Sequence, residues 1–246
     1  MRIEHRLGTR LAGGLTAGLA ALLLAGCGSS DEAPAAAASS SASSSSAAPS
    51  SESRTGAEVA AAAADALEQA GSAHVAGTIG TAAGGNIDLQ LQGEDVLGTV
   101  TMEGQTIQLL TVGGVSYLQA GADFWTSSGV PAEAVGQLDG QWVVVPPEGA
   151  AEFGALTLSG FADELRNPSD GAFEDEVRTE QLDGQDVLVA RQANGSEVYV
   201  AAEDPQYPLK TTTTGADAES VTLDGFGEQV EITAPADALD LSEIGA

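Results

Sequence analysis

Few side chains in this chain suit covalent or acid–base chemistry: one cysteine, Cys27, and two histidines, His5 and His74, among 246 residues. Cys27 closes the run Leu24-Ala25-Gly26-Cys27, behind Arg2, Arg6 and Arg10 and the uncharged stretch from Leu11 to Gly26. Each part has a chemical use. Basic residues hold the start of the chain at the cytoplasmic face, the apolar stretch enters the export machinery, and the small Ala25 and Gly26 let a peptidase reach the Gly26–Cys27 bond. Cys27 supplies a thiol for attachment of diacylglycerol, and after processing it would be the new N-terminus. The spacing predicts a signal peptide over 1–26, cleavage between Gly26 and Cys27, and lipidation at Cys27. A membrane-spanning helix is the weaker reading, because a span takes about 20 apolar residues and this stretch is shorter and holds Gly13, Gly14 and Gly18. At about 0.8 kcal/mol per buried CH₂, two acyl chains anchor a protein stably. The expected location is therefore the extracytoplasmic face of a cell membrane.

Catalytic signatures are missing. His74 is the only histidine beyond the leader, and no Gly-x-Ser-x-Gly, phosphate-binding loop or paired histidines occur. Carboxylates are so plentiful that no chosen Asp/Glu pair points to glycoside chemistry. Asp-Gly follows leucine three times, in Leu138-Asp139-Gly140, Leu182-Asp183-Gly184 and Leu223-Asp224-Gly225. None continues with the oxygen ligands of a calcium loop, so each reads as a tight hairpin turn. Asn194-Gly195-Ser196 reads the same way. No enzymatic activity, metal or cofactor is expected.

Charge narrows the partners. The formal net charge is −28, and residues 27–246 hold 35 acidic side chains against 5 basic ones. Such a surface repels phosphates and anionic headgroups within a Debye length of roughly 8 Å. Nucleic acid is excluded as a partner, and membrane contact must run through the lipid at Cys27.

From Gly28 to Thr55 the chain holds 12 serines and 8 alanines, with no Leu, Ile, Val or Phe. Without apolar side chains to offset ordering entropy, residues 27–55 are expected to form a disordered tether. From Gly56 onward, 45 of 191 residues are Leu, Ile, Val or Phe, enough for one globular domain over 56–246. Thr55 and Glu58 stand in capping-box relation, and Val59, Ala62, Ala63, Ala66, Leu67 and Ala70 form one helical face before Gly71. The period then changes to two: Ile87, Leu89, Leu91; Val96, Gly98, Val100, Met102; Ile107, Leu109. Turns are expected at Gly84-Gly85, Gly93, Glu103-Gly104 and Gly113-Gly114. Helical spacing returns at Phe153, Leu156, Phe161 and Leu165, and a second strand series ends at Gln229–Ile232. The predicted class is α+β: a strongly curved antiparallel sheet of about 11 strands, an unclosed half-barrel, covered by helices.

These features together resemble a known group. The Cys27 segment, the serine-rich tether, the helix leading into Ser72-Ala73-His74-Val75, the phrases Leu138-Asp139-Gly140-Gln141-Trp142-Val143 and Tyr207-Pro208-Leu209-Lys210, and the close Gly227 to Pro235 are similar to actinobacterial envelope lipoproteins of the LppX/LprG type. More distantly they resemble the periplasmic carrier LolA. The resemblance implies a half-barrel with helices as a lid and a hydrophobic cavity for acyl chains.

The expected function is non-catalytic binding or carriage of a lipid or other apolar ligand at the membrane. Candidate lining residues are Leu89, Leu91, Val100, Met102, Ile107, Leu109, Tyr117 and Trp142. The alternative is an interaction or structural lipoprotein using the acidic stretch Asp163, Glu164, Asp170, Glu174, Asp175 and Glu176, for which a solvated face is the simpler account.

Overall fold

A computed structural model describes residues 54–80, 85–169, 171–214 and 218–240. The predicted signal peptide, Cys27, most of the tether and Gly84 lie outside them. The domain opens with α1 (Gly56–Ala70), capped as expected. Glu58 N–H donates to Thr55 Oγ1 at 3.3 Å while Thr55 N–H donates to Glu58 Oε2 at 2.8 Å. Gly71 ends the helix at φ 72°, a conformation that costs glycine little.

Five strands follow: β1 (Ser72–Ile79), β2 (Gly85–Gln92), β3 (Asp95–Met102), β4 (Gln105–Val112) and β5 (Val115–Gln119). Two short helices, α2 (Ala122–Ser127) and α3 (Ala132–Leu138), precede β6 (Trp142–Val144). Then come α4 (Pro147–Ala150), a 3₁₀ turn (Ala151–Leu156) and α5 (Leu158–Arg166). The chain continues through β7 (Phe173–Leu182), β8 (Gln185–Gln192), β9 (Glu197–Ala201), β10 (Pro208–Thr212), β11 (Ser220–Asp224) and β12 (Leu239–Asp240).

All twelve strands form one sheet in the order β12-β6-β5-β4-β3-β2-β1-β11-β10-β9-β8-β7, curved and open between β12 and β7. The α+β half-barrel therefore stands, with one strand more than expected. The sheet is mixed, because β12 runs parallel to β6. Pairing β1 with β11 joins the two strand series. Two glycines mark where strands approach closely: a Cβ on Gly98 would lie 2.1 Å from Asp88 O, and one on Gly77 2.1 Å from Ser220 O. Missing side chains there let the sheet bend.

Several turn and strand expectations need correction. Asp183-Gly184 does make the β7–β8 hairpin, with φ 52° and 86°. Asp139-Gly140 instead links α3 to β6, and Asp224-Gly225 simply ends β11. Asp139 Oδ1 accepts Ala122 N–H at 2.9 Å, so its side chain serves α2. Residues 229–232 pair with no strand; there the chain runs along side chains, with Val230 N–H donating to Gln92 Oε1 at 2.9 Å and Gln90 Nε2 to Glu228 O at 3.2 Å.

The core lies between the concave sheet face and the two longer helices. Val59, Ala63 and Leu67 of α1 and Leu158, Ala162 and Leu165 of α5 pack with Val75, Leu89, Leu91, Leu109, Leu188, Val200 and Leu223. A second cluster under α2 and α3 holds Ile107, Ala120, Trp125, Leu138 and Val143. Among the described residues no helix is long and apolar enough to cross a membrane.

Candidate functional site

Strand pairing places one continuous row of side chains across the concave face. Val198 faces Thr211, Thr211 faces Val221, Val221 faces Gly77, Gly77 faces Ile87, and Ile87 faces Val100. Directly opposed residues share a sheet face. The row has no side chain at Gly77, and the stretch from Val198 to Ile87 is roofed by α5.

Between roof and floor lies a cavity of about 400 Å³. Its apolar walls are Ile79, Ile87, Leu156, Phe161, Leu165, Phe173, Val198, Pro208, Val221 and Leu223. Its polar lining includes Glu164, Ser169, Gln192, Ser196, Thr211 and Glu219. The volume falls near the lower end of the roughly 300–1,000 Å³ usual for small-molecule pockets. Glu164 and Ser169 are exposed, so they stand at the rim.

The roof is built by local sequence. Thr157 caps α5, its Oγ1 accepting Gly160 N–H at 3.1 Å. The 3₁₀ turn and α5 meet at Thr157, and Gly160 sits inside α5. A Cβ at Gly160 would lie 2.5 Å from Gly154 O, so glycine lets α5 seat against the preceding turn. At the other end of α5, Arg166 reaches α1, with Nη2 2.7 Å from Asp65 Oδ1 and 2.6 Å from Glu68 Oε2. The guanidinium holds the Glu68 carboxyl below its ordinary value, and the two acids raise Arg166 further above its own.

None of the eight residues named from the sequence borders this cavity. Leu89, Leu91, Val100 and Leu109 belong to the main core, and Ile107 to the second cluster. Met102 ends β3 at 38% exposure. Tyr117 faces Leu110 and Trp142 faces Gln119, whereas the concave residue Leu109 faces Leu118. Both aromatics therefore stand on the opposite sheet face from Leu109. The hollow lies instead on the second strand series. Its signal was present in β8, where Leu188 and Ala190 are followed on the same side by Gln192, a polar residue at an inward position.

The one histidine suited to acid–base work is on the convex side. His74 Nδ1 lies 2.9 Å from Asp224 Oδ1 and Nε2 3.2 Å from Asp88 Oδ1. Both ring nitrogens are occupied by carboxylates, and the group ties strands together. Among the described residues no cluster of His, Cys, Asp or Glu is arranged to hold a metal ion.

No protein-family model matches the chain, and no curated protein matches it in sequence. Among solved structures, the crystal structure of the Mycobacterium tuberculosis lipoprotein LppX is similar with a TM-score of 0.49 and 15% identity, covering 72% of this chain and 98% of that one.

Proposed function

We propose that this chain is a lipid-anchored protein of the cell envelope that holds one small apolar ligand, an acyl chain or its equivalent, without chemistry. The carrying observation is the hollow under α5, walled by Ile87, Phe161, Leu165, Val198, Val221 and Leu223. Each methylene moved from water into such a space contributes about 0.8 kcal/mol. Association opposes this with on the order of 4 kcal/mol or more, which one chain of moderate length offsets. The anchor belongs to the same reading: a thiol at Cys27 behind a basic and apolar leader, and a serine-rich tether between lipid and domain. With 35 acids against 5 bases beyond residue 26, the domain itself is repelled by anionic membrane, so the lipid supplies the adhesion.

The test is organic extraction of protein purified from its native membrane, followed by mass spectrometry. The expected result is an amphiphile at close to one molecule per chain. Protein that yields none, and that takes up no added fatty alcohol, sinks the proposal. Recovery of a defined protein partner with an empty cavity would favour the interaction role instead.

A further inference from the structure

Among the described residues, two polar side chains on the cavity wall have no hydrogen-bond partner. Gln192 is 7% exposed and Ser196 9%, and both border the cavity. Their main chains are satisfied: Gln192 N–H donates to Ser196 O at 2.8 Å, and Ser196 N–H to Asn194 Oδ1 at 2.9 Å. Among the described residues, neither the Gln192 amide nor the Ser196 hydroxyl is hydrogen-bonded. The small surface that each keeps leaves its polar group free to take a hydrogen bond from a bound molecule. The space that both border is the hollow. They are also neighbours, closing the two strands of the β8–β9 hairpin on its concave side.

The rim carries charge of one sign. Glu164 Oε1 accepts from Ser169 N–H at 2.7 Å and Oγ at 2.9 Å. Glu219 Oε1 accepts from Gly80 N–H at 2.8 Å. Arg166 is engaged by Asp65 and Glu68, and Arg178 by Glu180 and Glu197. Among the described residues neither rim carboxylate has a cationic partner.

We propose that the cavity takes a single-chain amphiphile whose polar end is an uncharged hydrogen-bonding group, a hydroxyl or amide, bound by Gln192 and Ser196. Glu164 and Glu219 turn away ligands ending in a carboxylate or phosphate. A cationic end is drawn to those carboxylates at the rim, but seating it at Gln192 and Ser196 takes a charge out of water onto neutral groups, which is expensive. This rests on the apolar-ligand reading above and adds the chemistry of the polar end.

Calorimetric titration of the full lipid-free domain tests it, with dodecanol below its solubility limit and dodecanoate and dodecylammonium below their micelle concentrations. Dodecanol should bind tightest, with dodecanoate about tenfold weaker at moderate ionic strength and the gap narrowing in high salt. Gln192→Met keeps the volume and removes the amide, and should weaken dodecanol about threefold to tenfold. The double variant Glu164→Gln, Glu219→Gln keeps both acceptors for Ser169 and Gly80, so the fold survives while the dodecanoate penalty shrinks. Equal binding of dodecanoate and dodecanol, tightest binding of dodecylammonium, or indifference to Gln192→Met would each overturn the polar-end assignment and leave the apolar-ligand reading standing. Persistence of the dodecanoate penalty in the double variant overturns the rim's part in it. If none of the three probes binds, the cavity reading falls and takes this one with it.

Discussion

His74 and Asp224 face each other across the β1–β11 pairing, with Nδ1 2.9 Å from Oδ1. On the opposite flank of β1, Asp88 of β2 meets Nε2 at 3.2 Å. The histidine is therefore clamped between carboxylates at the line that joins the two strand series.

That clamp makes the seam sensitive to pH. Partial burial alone would lower the pKa of His74, but hydrogen bonds to Asp224 and Asp88 outweigh it and hold the value above the ordinary 6.5. A value raised on folding means the charged form is favoured in the native state. Its stabilisation is fully present below pH 6.5 and is lost as pH rises through the folded value. With the ring about a third exposed, solvent screening keeps the effect modest. The midpoint difference between wild type and His74→Gln should shrink from about pH 5 to about pH 8. A difference that stays constant over that range would remove His74 as its source.

At Gly98 β3 lies tight against β2. Its missing Cβ would lie 2.1 Å from Asp88 O and 2.8 Å from Leu89 Cα, both backbone atoms that cannot swing aside. Gly98→Ala should destabilise by about 1–3 kcal/mol through strand displacement, read as a lower urea midpoint. An unchanged midpoint would mean that the curvature does not depend on this glycine.

Filling and emptying the interior should have opposite signatures in the two halves of the concave face. Leu109 is fully buried in the packed half, so Leu109→Ala should cost about 2–5 kcal/mol and leave dodecanol binding within about twofold. Val221 borders the hollow. Val221→Phe should leave the thermal midpoint nearly unchanged while abolishing dodecanol binding. If both variants bind dodecanol like wild type, the hollow is not where the ligand sits.

The helices and the main alternation were legible because they follow from local rules. Thr55 and Glu58 announce α1, and Ile87, Leu89 and Leu91 announce a half-buried strand whose inner face is the core. What could not be read was which part of the inner face is filled. Leu89, Leu91 and Leu109 look as suited to line a cavity as Val198, Val221 and Leu223, yet the first set is fully buried in the main core while space remains between α5 and the second. That depends on helix placement, a matter of long-range packing. Tyr117 and Trp142 stand away from this cavity for a different reason. A strand's facing residues are set by register, and β5 pairs Leu118 with Leu109, which turns Tyr117 outward. Helices α2 and α3 were missed because at 6 and 7 residues they are too short for helical periodicity to show.

Attachment through Cys27 is open to a direct test. Cys27→Ser keeps the leader and the small residues around the cleavage point but removes the thiol needed for acylation. With the domain repelled by anionic lipid, nothing else should hold it at the bilayer. The variant should shift from the detergent-extracted membrane fraction to the soluble fraction, with the wild-type chain retained. A variant that still sediments with membranes would refute acylation as the anchor.

The roof over the cavity depends on Arg166. It ends α5 and spans to α1, donating through Nη1 and Nη2 to both oxygens of Glu68 and through Nη2 to Asp65. Bidentate geometry makes this stronger than a single exposed ion pair. Because Glu68 has its pKa lowered by Arg166 in the folded state, the contribution is present above the carboxylate's ordinary value of 4.5 and is lost as pH falls through the lower folded value. Arg166→Met retains the aliphatic stem and loses the bridge. It should raise amide exchange across α5 several-fold while that of β3 and β4 is unchanged, and it should speed dodecanol release, since Phe161 and Leu165 of the same helix form the cavity's upper wall. High salt should bring the wild-type exchange of α5 toward that of the variant. Uniformly faster exchange over the whole domain would show that Arg166 supports the fold at large, without a particular part in holding the roof.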